Sequence, residues 1–417
     1  MSKAAAPPSL AALAWKFFAI GCVAFGGFMA LISVVEDVFV RQLKWIERED
    51  MLDGISLANV MPGPQAVNTV TYVGYRIAGW PGAVVSFVAI LTPTFVLVTG
   101  LTFLYFGVAQ DLDWLQGFFK GIIPAVAAVI FSVVWRMRAK AVTENLGWAL
   151  MTGAALALFL APPASQLWVN LAALSMAAVL GSVFLRPPAS ALDTPSKRPS
   201  YARIALLVAV PLSLPVLYLS NPALDPNGLP QMALTFSGLS VMLFGGGYVF
   251  IPMIQGVVVD QQAWLTATQF TDAIAFSQTT PGPIMISTAF IGQKVMMEQS
   301  GPLMGVFGGL VCTLAIFAPP ALLIVAASEL LDQIRSNQQV QGALRGIRAA
   351  VVGMIFVAGV VILTTAWEDV DLVGAAQLQY SGVLLALFAA SLIALIRYKV
   401  SVLAVIPVAG LVGIFAV

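Results

Sequence analysis

Two Pro-Gly-Pro motifs interrupt hydrophobic segments of this chain, at Pro62-Gly63-Pro64 and at Pro281-Gly282-Pro283. Proline lacks a backbone N–H and clashes with the preceding helical turn, and glycine permits irregular backbone, so a helix cannot pass through either motif unbroken. Because proline favours the first turn of a helix, we expect a new helix to begin near Pro64. The unsatisfied N–H groups at such a helix start carry partial positive charge and can bind an oxyanion. The motifs therefore predict recognition of a small anion.

Polar side chains next to both motifs can donate further hydrogen bonds. Three lie just inside the helix that should follow the first motif, and others lie around the second. Two such helix starts that meet would form a site for one small, doubly charged anion. The other interpretation of each motif is a proline kink that only shapes helix packing. The candidate side chains are Gln65, Asn68, Thr69, Thr280, Ser287 and Thr288.

The two motifs belong to an internal duplication with an offset of 219 residues. At this offset Phe25-Gly26-Gly27 returns as Phe244-Gly245-Gly246, and Trp45 returns as Trp264. An ungapped alignment that starts at the two phenylalanines gives 14 identities in 48 positions, far above chance. Paired interruptions in two halves point to the substrate site of a secondary transporter. The glycine pairs are thus a second candidate opening of the backbone, or else a site of close helix packing, and the tryptophans should anchor loops at the membrane interface.

Four charged residues at matching positions are further candidates. Lys120 and Arg345 match at an offset of 225 residues and stand at the start of apolar segments. A cation within a membrane is costly and usually functional, so these two could neutralise an anionic substrate, or they could snorkel to the interface. Asp53 and Asp272 match within the duplication and precede the two motifs. They are candidates for coupling transport to a proton, with helix N-capping as the other interpretation.

Composition excludes several classes of protein. The chain has 417 residues, of which 60% are hydrophobic and 9% are charged, and its mean hydropathy is +0.94. A soluble protein carries roughly 25% charged residues, so this chain belongs in a bilayer. The net charge of +1 argues against nucleic acid as a partner. With no histidine and two cysteines inside apolar segments, we expect no metal site, no cofactor and no catalytic residues.

Thirteen hydrophobic segments of membrane length or near it follow one another along the chain. A bilayer-spanning helix needs about 20 residues, so the fifth segment and the last two are short. In lipid a helix satisfies its own backbone, and no alternating pattern of barrel strands is visible, so the sequence predicts an all-α polytopic membrane protein. The segments are 15–35, 54–75, 82–107, 118–135, 147–160, 167–185, 204–219, 234–254, 271–293, 302–327, 345–366, 380–396 and 401–417.

Positive charge predicts the orientation of these segments. Residues 136–140 hold three cations and the linker 186–203 holds four, so both should face the cytoplasm. Segment 82–107 then runs from inside to outside and segment 302–327 from outside to inside, which predicts two inverted repeats. The Gly-Gly and Pro-Gly-Pro segments either re-enter from one side or span the membrane fully. The charges do not separate these two choices.

The chain divides accordingly into four parts. A first repeat covers 13–185, and a polar, proline-rich cytoplasmic linker covers 186–203. A connecting membrane helix and loop occupy 204–230, and the second, inverted repeat covers 231–417.

The order of these motifs resembles the chromate ion transporter family. The resemblance rests on Phe-Gly-Gly, a loop with tryptophan, Pro-Gly-Pro and the following Gly74, with the motifs duplicated as in the long, two-repeat form of that family. It implies a multi-pass protein of the bacterial inner membrane that exports chromate from the cytoplasm and confers chromate resistance. The expected partners are a small oxyanion and the lipid bilayer, with a homodimer left open.

Other functions stay open on the residues alone. Sulfate is close to chromate in size, shape and charge, so an uptake permease for sulfate is the alternative. A channel would need a continuous polar pore. An integral membrane enzyme acting on lipid phosphate would need histidines or acidic clusters, which this sequence does not show. The chain has no Walker motif, so the sequence favours a secondary transporter over one driven by ATP.

Overall fold

The structure is a computed structural model, and every regular element in its described residues is a helix, which confirms the all-α class. The described residues are 8–23, 28–59, 61–107, 113–142, 144–162, 165–186, 209, 213, 217, 227–243, 250–328, 337–368 and 375–416. The helices are α1 Leu10–Val23, α2 Phe28–Val35, α3 Arg48–Ala58, α4 Gln65–Gly107, α5 Asp113–Ala141, α6 Asn145–Leu160, α7 Gln166–Phe184, α8 Leu229–Met242, α9 Phe250–Gln255, α10 Ala267–Thr279, α11 Ser287–Ser300, α12 Pro302–Ser328, α13 Gln338–Glu368, α14 Ala375–Ile396 and α15 Val402–Ala416.

Four of these helices are long and apolar enough to cross a membrane. They contain the stretches Gln65–Gly107, Gly117–Ala139, Pro302–Ser328 and Gln338–Thr364, and five shorter apolar helices accompany them. Large hydrophobic side chains such as Leu303 are exposed on the outside of the bundle, as expected where lipid replaces water. The structure thus fits a multi-pass membrane protein. The number of thirteen segments stays a prediction, and segment 204–219 lies almost entirely outside the described residues.

Helix α4 is two helices joined by a sharp turn. Ala78 and Gly79 leave the helical conformation, and Gly79 has φ +62°, which glycine adopts without strain. The carbonyl of Gly74 lies against Gly82, so the long arm of α4 (residues 80–107) folds back along its short arm (residues 65–77). The second half has the same arrangement. Gly301 separates α11 from α12, and a methyl group added at Gly292 would lie 2.5 Å from the Gly308 carbonyl oxygen.

Two π-helical turns, Glu36–Gln42 and Gly256–Gln261, also occupy matching positions in the two halves. Trp264 follows the second turn and is buried, 1% exposed, with its ring centre 5.7 Å from that of Phe236. The expectation that this tryptophan anchors a loop at the membrane interface was therefore wrong. Its indole packs inside the protein because α8 covers it.

Glycines let helices from the two halves approach closely. A methyl group added at Gly121 of α5 would lie 2.5 Å from the Ala409 carbonyl oxygen of α15. One added at Gly346 of α13 would collide with the Ala177 carbonyl oxygen of α7. Each glycine directly follows one of the matched cations. The close approach of the two helices requires a residue without a side chain there, as in the small-residue contacts of membrane helices. In both contacts, a helix of one half therefore packs against a helix of the other half.

We expect Gly346→Ala to destabilise the protein. Overpacking of a tight contact costs roughly 1–3 kcal/mol, because α7 and α13 must move apart. Gly153→Ala in α6 is the matched control, since nothing lies within 4 Å of the added methyl group. Alanine there should be neutral or stabilising by up to about 1 kcal/mol. Thermal unfolding of the two purified variants in detergent measures the difference, and equal midpoints would show that the contact does not limit stability.

Candidate functional site

The first Pro-Gly-Pro motif lies at the tip of a helical hairpin. A methyl group added at Gly54 of α3 would collide with the ring of Tyr72 in α4, and the Arg76 guanidinium forms an ion pair with Asp50. A helix rises about 1.5 Å per residue, so these contacts require the two helices to run antiparallel on either side of the motif. We call residues 61–64 the first tip. As predicted, the new helix begins at Gln65, directly after the motif.

The second motif lies at the tip of a matching hairpin. The rings of Phe276 in α10 and Phe290 in α11 flank the motif with centroids 5.7 Å apart. We call residues 280–286 the second tip. Its last three residues, Ile284–Ile286, form a single 3₁₀ turn, so the α-helix begins only at Ser287. The short stretches between helices thus have different shapes in the two halves.

Each tip contacts the other half of the chain. At the first tip, the N–H of Gly63 donates to the Leu243 carbonyl at 2.6 Å, and a methyl group added at Gly63 would collide with Pro320 of α12. Leu243 directly precedes the Phe244-Gly245-Gly246 segment. Both Gly-Gly candidates, Gly26 with Gly27 and Gly245 with Gly246, lie outside the described residues. The structure therefore places the first tip beside Leu243, just after the end of α8.

At the second tip, Thr94 of α4 makes the corresponding contact. Its hydroxyl donates a hydrogen bond to the Pro281 carbonyl, and a methyl group added at Gly282 would lie 2.6 Å from Thr94 Oγ1. Thr94 and Pro320 end matching sequences, A-I-L-T-P-T at 89–94 and A-I-F-A-P-P at 315–320. The two tips thus meet equivalent proline-bearing stretches of the two long helices. This repeat of six residues in the sequence was the signal that could have identified Thr94 and Pro320 as contact residues of the tips.

Most predicted donors at the tips are already engaged by nearby backbone. Asn68 Nδ2 donates to the Pro62 carbonyl at 2.9 Å, and the Thr69 hydroxyl donates to the Gln65 carbonyl at 2.9 Å. The hydroxyls of Thr280 and Thr288 donate to carbonyls three residues earlier. These side chains hold the shape of the tips, because a helical carbonyl is the nearest acceptor for a threonine.

Several buried polar atoms near the tips have no hydrogen-bond partner among the described residues. Asn68 Oδ1 is one of these atoms. It must be the amide oxygen, because the other amide atom of Asn68 faces a carbonyl and is therefore the nitrogen. The hydroxyl of Ser287 and the Nε2 atom of Gln278 are two more. A buried polar atom without a partner costs free energy, so such atoms mark places where a ligand or water binds. Ser287 was predicted from sequence, and Gln278 was not among the site residues.

The two matched cations differ in exposure. Lys120 is half-buried and Arg345 is exposed, and neither forms an ion pair within the described part of the chain. No hydrogen bond in that part joins either one to a tip. Lys294, by contrast, pairs with Glu298 at 2.9 Å. Within the described part of the chain, no acidic side chain therefore neutralises Lys120 or Arg345.

The two aspartates do not cap helices. Helix α10 begins at Ala267 with Thr266 as its N-cap, where Thr266 and Gln269 form a capping box. Asp272 lies a full turn further on, and Asp53 likewise lies inside α3, which begins at Arg48. The capping interpretation was therefore wrong. Asp272 is 4% exposed and accepts a hydrogen bond from the Tyr105 hydroxyl at 2.7 Å.

These features define a class of protein. Apolar helices of membrane length surround two broken hairpins, and the described residues contain no group of three metal-ligating side chains. Such an arrangement is typical of a membrane transport protein. The chain belongs to the chromate transporter family, whose model, "Chromate transporter", matches residues 11–182 and 230–414.

Individual relatives agree with this assignment. A chromate transport protein of Pseudomonas aeruginosa is 29% identical over 413 residues, which cover 98% of this chain and 92% of the relative. A probable chromate transport protein of Synechococcus elongatus is 28% identical over 358 residues, covering 85% of this chain and 84% of the relative. One from Cupriavidus metallidurans is 29% identical over 367 residues, covering 87% and 84%. No solved structure matches this chain significantly.

We expect Thr94→Val to loosen the second tip. Valine has the shape of threonine but cannot donate to the Pro281 carbonyl, and losing a partner for a buried group costs roughly 1–3 kcal/mol. Amide hydrogen exchange of residues 280–286 should therefore become about tenfold faster or more. Thr92→Val is the matched control, because the Thr92 hydroxyl donates to the Val88 carbonyl of its own helix. Equal exchange rates in the two variants would contradict the role of Thr94.

Proposed function

We propose that this chain is a secondary transporter that exports chromate, or a similar small dianionic oxyanion, from the cytoplasm across the bacterial inner membrane. The observation that carries the proposal is the pair of Pro-Gly-Pro tips, each in contact with the long helix of the other half. A broken helix at the point where two halves meet is the usual position of a substrate site in secondary transporters. The names of the relatives support chromate as the substrate.

The proposed site offers donors suited to an oxyanion. The first backbone hydrogen bond of α4 runs from Asn68 N to the Pro64 carbonyl at 3.0 Å, so the N–H groups of Gln65, Ala66 and Val67 precede the helical ladder. At the second tip the unpartnered Ser287 hydroxyl and Gln278 amide add two side-chain donors. These groups carry partial charges that stabilise an anion without a metal.

Two full positive charges complete the proposal. A helix end is worth about half a charge, so two helix ends would leave a desolvated dianion undercompensated. Lys120 and Arg345 stand at matching positions without ion-pair partners in the described residues, and we assign them to the remaining charge. The predicted glycine pairs at 26–27 and 245–246 would open the backbone beside the tips.

Alternating access follows from two inverted repeats in this proposal. The repeats are 13–185 and 231–417, joined by the linker 186–203 and the connecting segment 204–230, with thirteen membrane segments in all. The antiparallel helices around each motif favour re-entrant hairpins over full spans. Rocking of one repeat against the other would expose the tips to each side in turn.

Chromate resistance tests this proposal directly. A chromate-sensitive bacterial host that expresses the chain should grow at higher chromate concentrations and hold less radiolabelled chromate than the empty host. Pro62→Ala and Pro281→Ala should each reduce transport roughly tenfold, equivalent to about 1.4 kcal/mol, because a continuous helix would satisfy the N–H groups internally. Protein abundance in membranes should change by less than twofold.

Three results would speak against this proposal. Equal chromate sensitivity and equal chromate content in the two hosts would exclude export. Rescue of a host that lacks sulfate uptake would support the permease instead. A loss of abundance in proportion to the loss of transport would assign the prolines to packing alone.

The cation assignment has its own test. Lys120→Gln and Arg345→Gln should each raise the KM for chromate by roughly tenfold, or about 1.4 kcal/mol. Arg345→Lys should recover part of the loss, because a point charge remains although the guanidinium fork is lost. Arg397→Gln is the control, since Arg397 is exposed at the end of α14 and has no matched partner. If all neutral variants transport like the parent, the cations have no role in recognition.

A further inference from the structure

One carboxylate of the duplicated pair is buried and accepts a hydrogen bond from a tyrosine. Asp272 lies in α10, which leads into the second tip, and it is 4% exposed. The Tyr105 hydroxyl, near the end of the long arm of α4, donates to its Oδ2 atom at 2.7 Å. The same arm holds the second tip through Thr94. One hydrogen bond between two side chains therefore joins the tip-bearing hairpin to the helix on which the tip rests.

The rings around this bond come from four helices. The ring of Tyr105 lies 4.9 Å from Phe106, 5.7 Å from Phe119 of α5, 5.6 Å from Phe276 of α10 and 5.6 Å from Phe290 of α11, measured between centroids. We call these five rings the aromatic cage. Asp272 is almost fully shielded from solvent, so its charged form depends strongly on the groups that the protein supplies.

The sequence provides these aromatic residues around only one of the two duplicated aspartates. At the offsets that relate the two halves, Tyr105, Phe119 and Phe276 correspond to Leu331, Leu344 and Leu57. The duplicated Asp53 is half-buried, whereas Asp272 is buried. The two aspartates therefore share a sequence position but have different surroundings. A tyrosine that replaces a leucine next to one of them points to a function that the other lacks.

We propose that Asp272 is the group that binds and releases the proton coupled to oxyanion transport, and that Tyr105 is its positioning residue. The inference rests on the proposed transport function and names its coupling site. In the arrangement that the structure shows, the phenol donates to the ionised carboxylate. A proton from the aqueous phase on one side neutralises the carboxylate, weakens this charge-assisted bond and frees α10 to move with its tip. The proton leaves to water on the other side, and Tyr105 keeps its own proton throughout.

Other ionisable groups lie on elements packed against α10. Lys120 of α5 directly follows Phe119 of the cage. Lys294 of α11 is already paired with Glu298. Helix α13 carries Arg345 and Arg348, the preceding π-helical turn carries Asp260, and α15 carries no charged residue. Tyr105 is the titratable group whose hydrogen bond to Asp272 the structure shows directly.

Reconstituted vesicles separate coupling from binding. The full chain is placed in proteoliposomes, and radiolabelled chromate uptake is measured with a pH gradient and, separately, as chromate–chromate exchange without a gradient. Asp272→Asn keeps a hydrogen-bond acceptor for Tyr105 but cannot lose a proton. We expect its exchange rate to stay within about twofold of the parent while accumulation driven by the gradient falls by roughly tenfold or more.

Tyr105→Phe tests the positioning role, because it keeps the ring and removes the donor. Losing a donor to the charged carboxylate favours the protonated form, so the pH of half-maximal gradient-driven transport should rise by about one unit. The KM for chromate in exchange should stay within about twofold. Glu144→Gln and Tyr398→Phe are the controls, since both residues are exposed, and neither should change the pH profile.

Each outcome decides between the two proposals. If the parent vesicles move no chromate, the transport function itself fails. If they do, and Asp272→Asn responds to the gradient like the parent, Asp272 is not the coupling site and the transport function stands. A requirement for a sodium gradient instead of a pH gradient would also overturn the inference. Should Asp272→Asn not accumulate in membranes, an unchanged pH profile of Tyr105→Phe overturns it.

Discussion

Backbone groups within a membrane must find their hydrogen-bond partners inside the protein, and both Pro-Gly-Pro tips break the helix that would provide them. The structure supplies partners from the opposite half of the chain. Leu243 accepts from the N–H of Gly63, and Thr94 donates to the carbonyl of Pro281. A tip that is useful for binding an anion is therefore stable only where another part of the chain lies against it. The rest of the architecture follows from this dependence.

The same exchange of partners recurs between the long helices. Helix α5 of the first half packs on α15, and α13 of the second half packs on α7, each through a glycine that touches a backbone carbonyl. Since the tips and these helices both cross between the halves, neither half buries its own polar backbone alone. Any relative motion of the halves must break and remake the contacts of the tips and the close glycine contacts of these helices.

The sequence predicted the broken helices well, because proline and glycine act locally. The helix start at Gln65 follows from Pro64 alone. It did not predict Thr94 or Tyr105, which lie 187 and 167 residues from their partners Pro281 and Asp272. The prediction that Asp272 caps its helix was wrong because Thr266 and Gln269 form the capping box of α10. The spacing of these two residues is typical of that motif. The hydroxyls of Thr69 and Thr288 donate to carbonyls of their own chain segment. The residue type alone does not say whether a threonine hydroxyl binds such a carbonyl or a ligand.

The exchanged packing also has a consequence for biogenesis. A chain enters the membrane from its N-terminus, yet the glycine face of α5 packs on α15, which begins at Val402 and ends at Ala416. The glycine face of α5 must therefore remain without its partner while most of the chain is still being synthesised. The same holds for the first tip, whose contacts Leu243 and Pro320 come later in the chain. During that interval lipid or an insertion factor must cover them. A chain that is cut short near its C-terminus thus loses a partner of its first half, and membrane quality control would meet it as an unassembled protein.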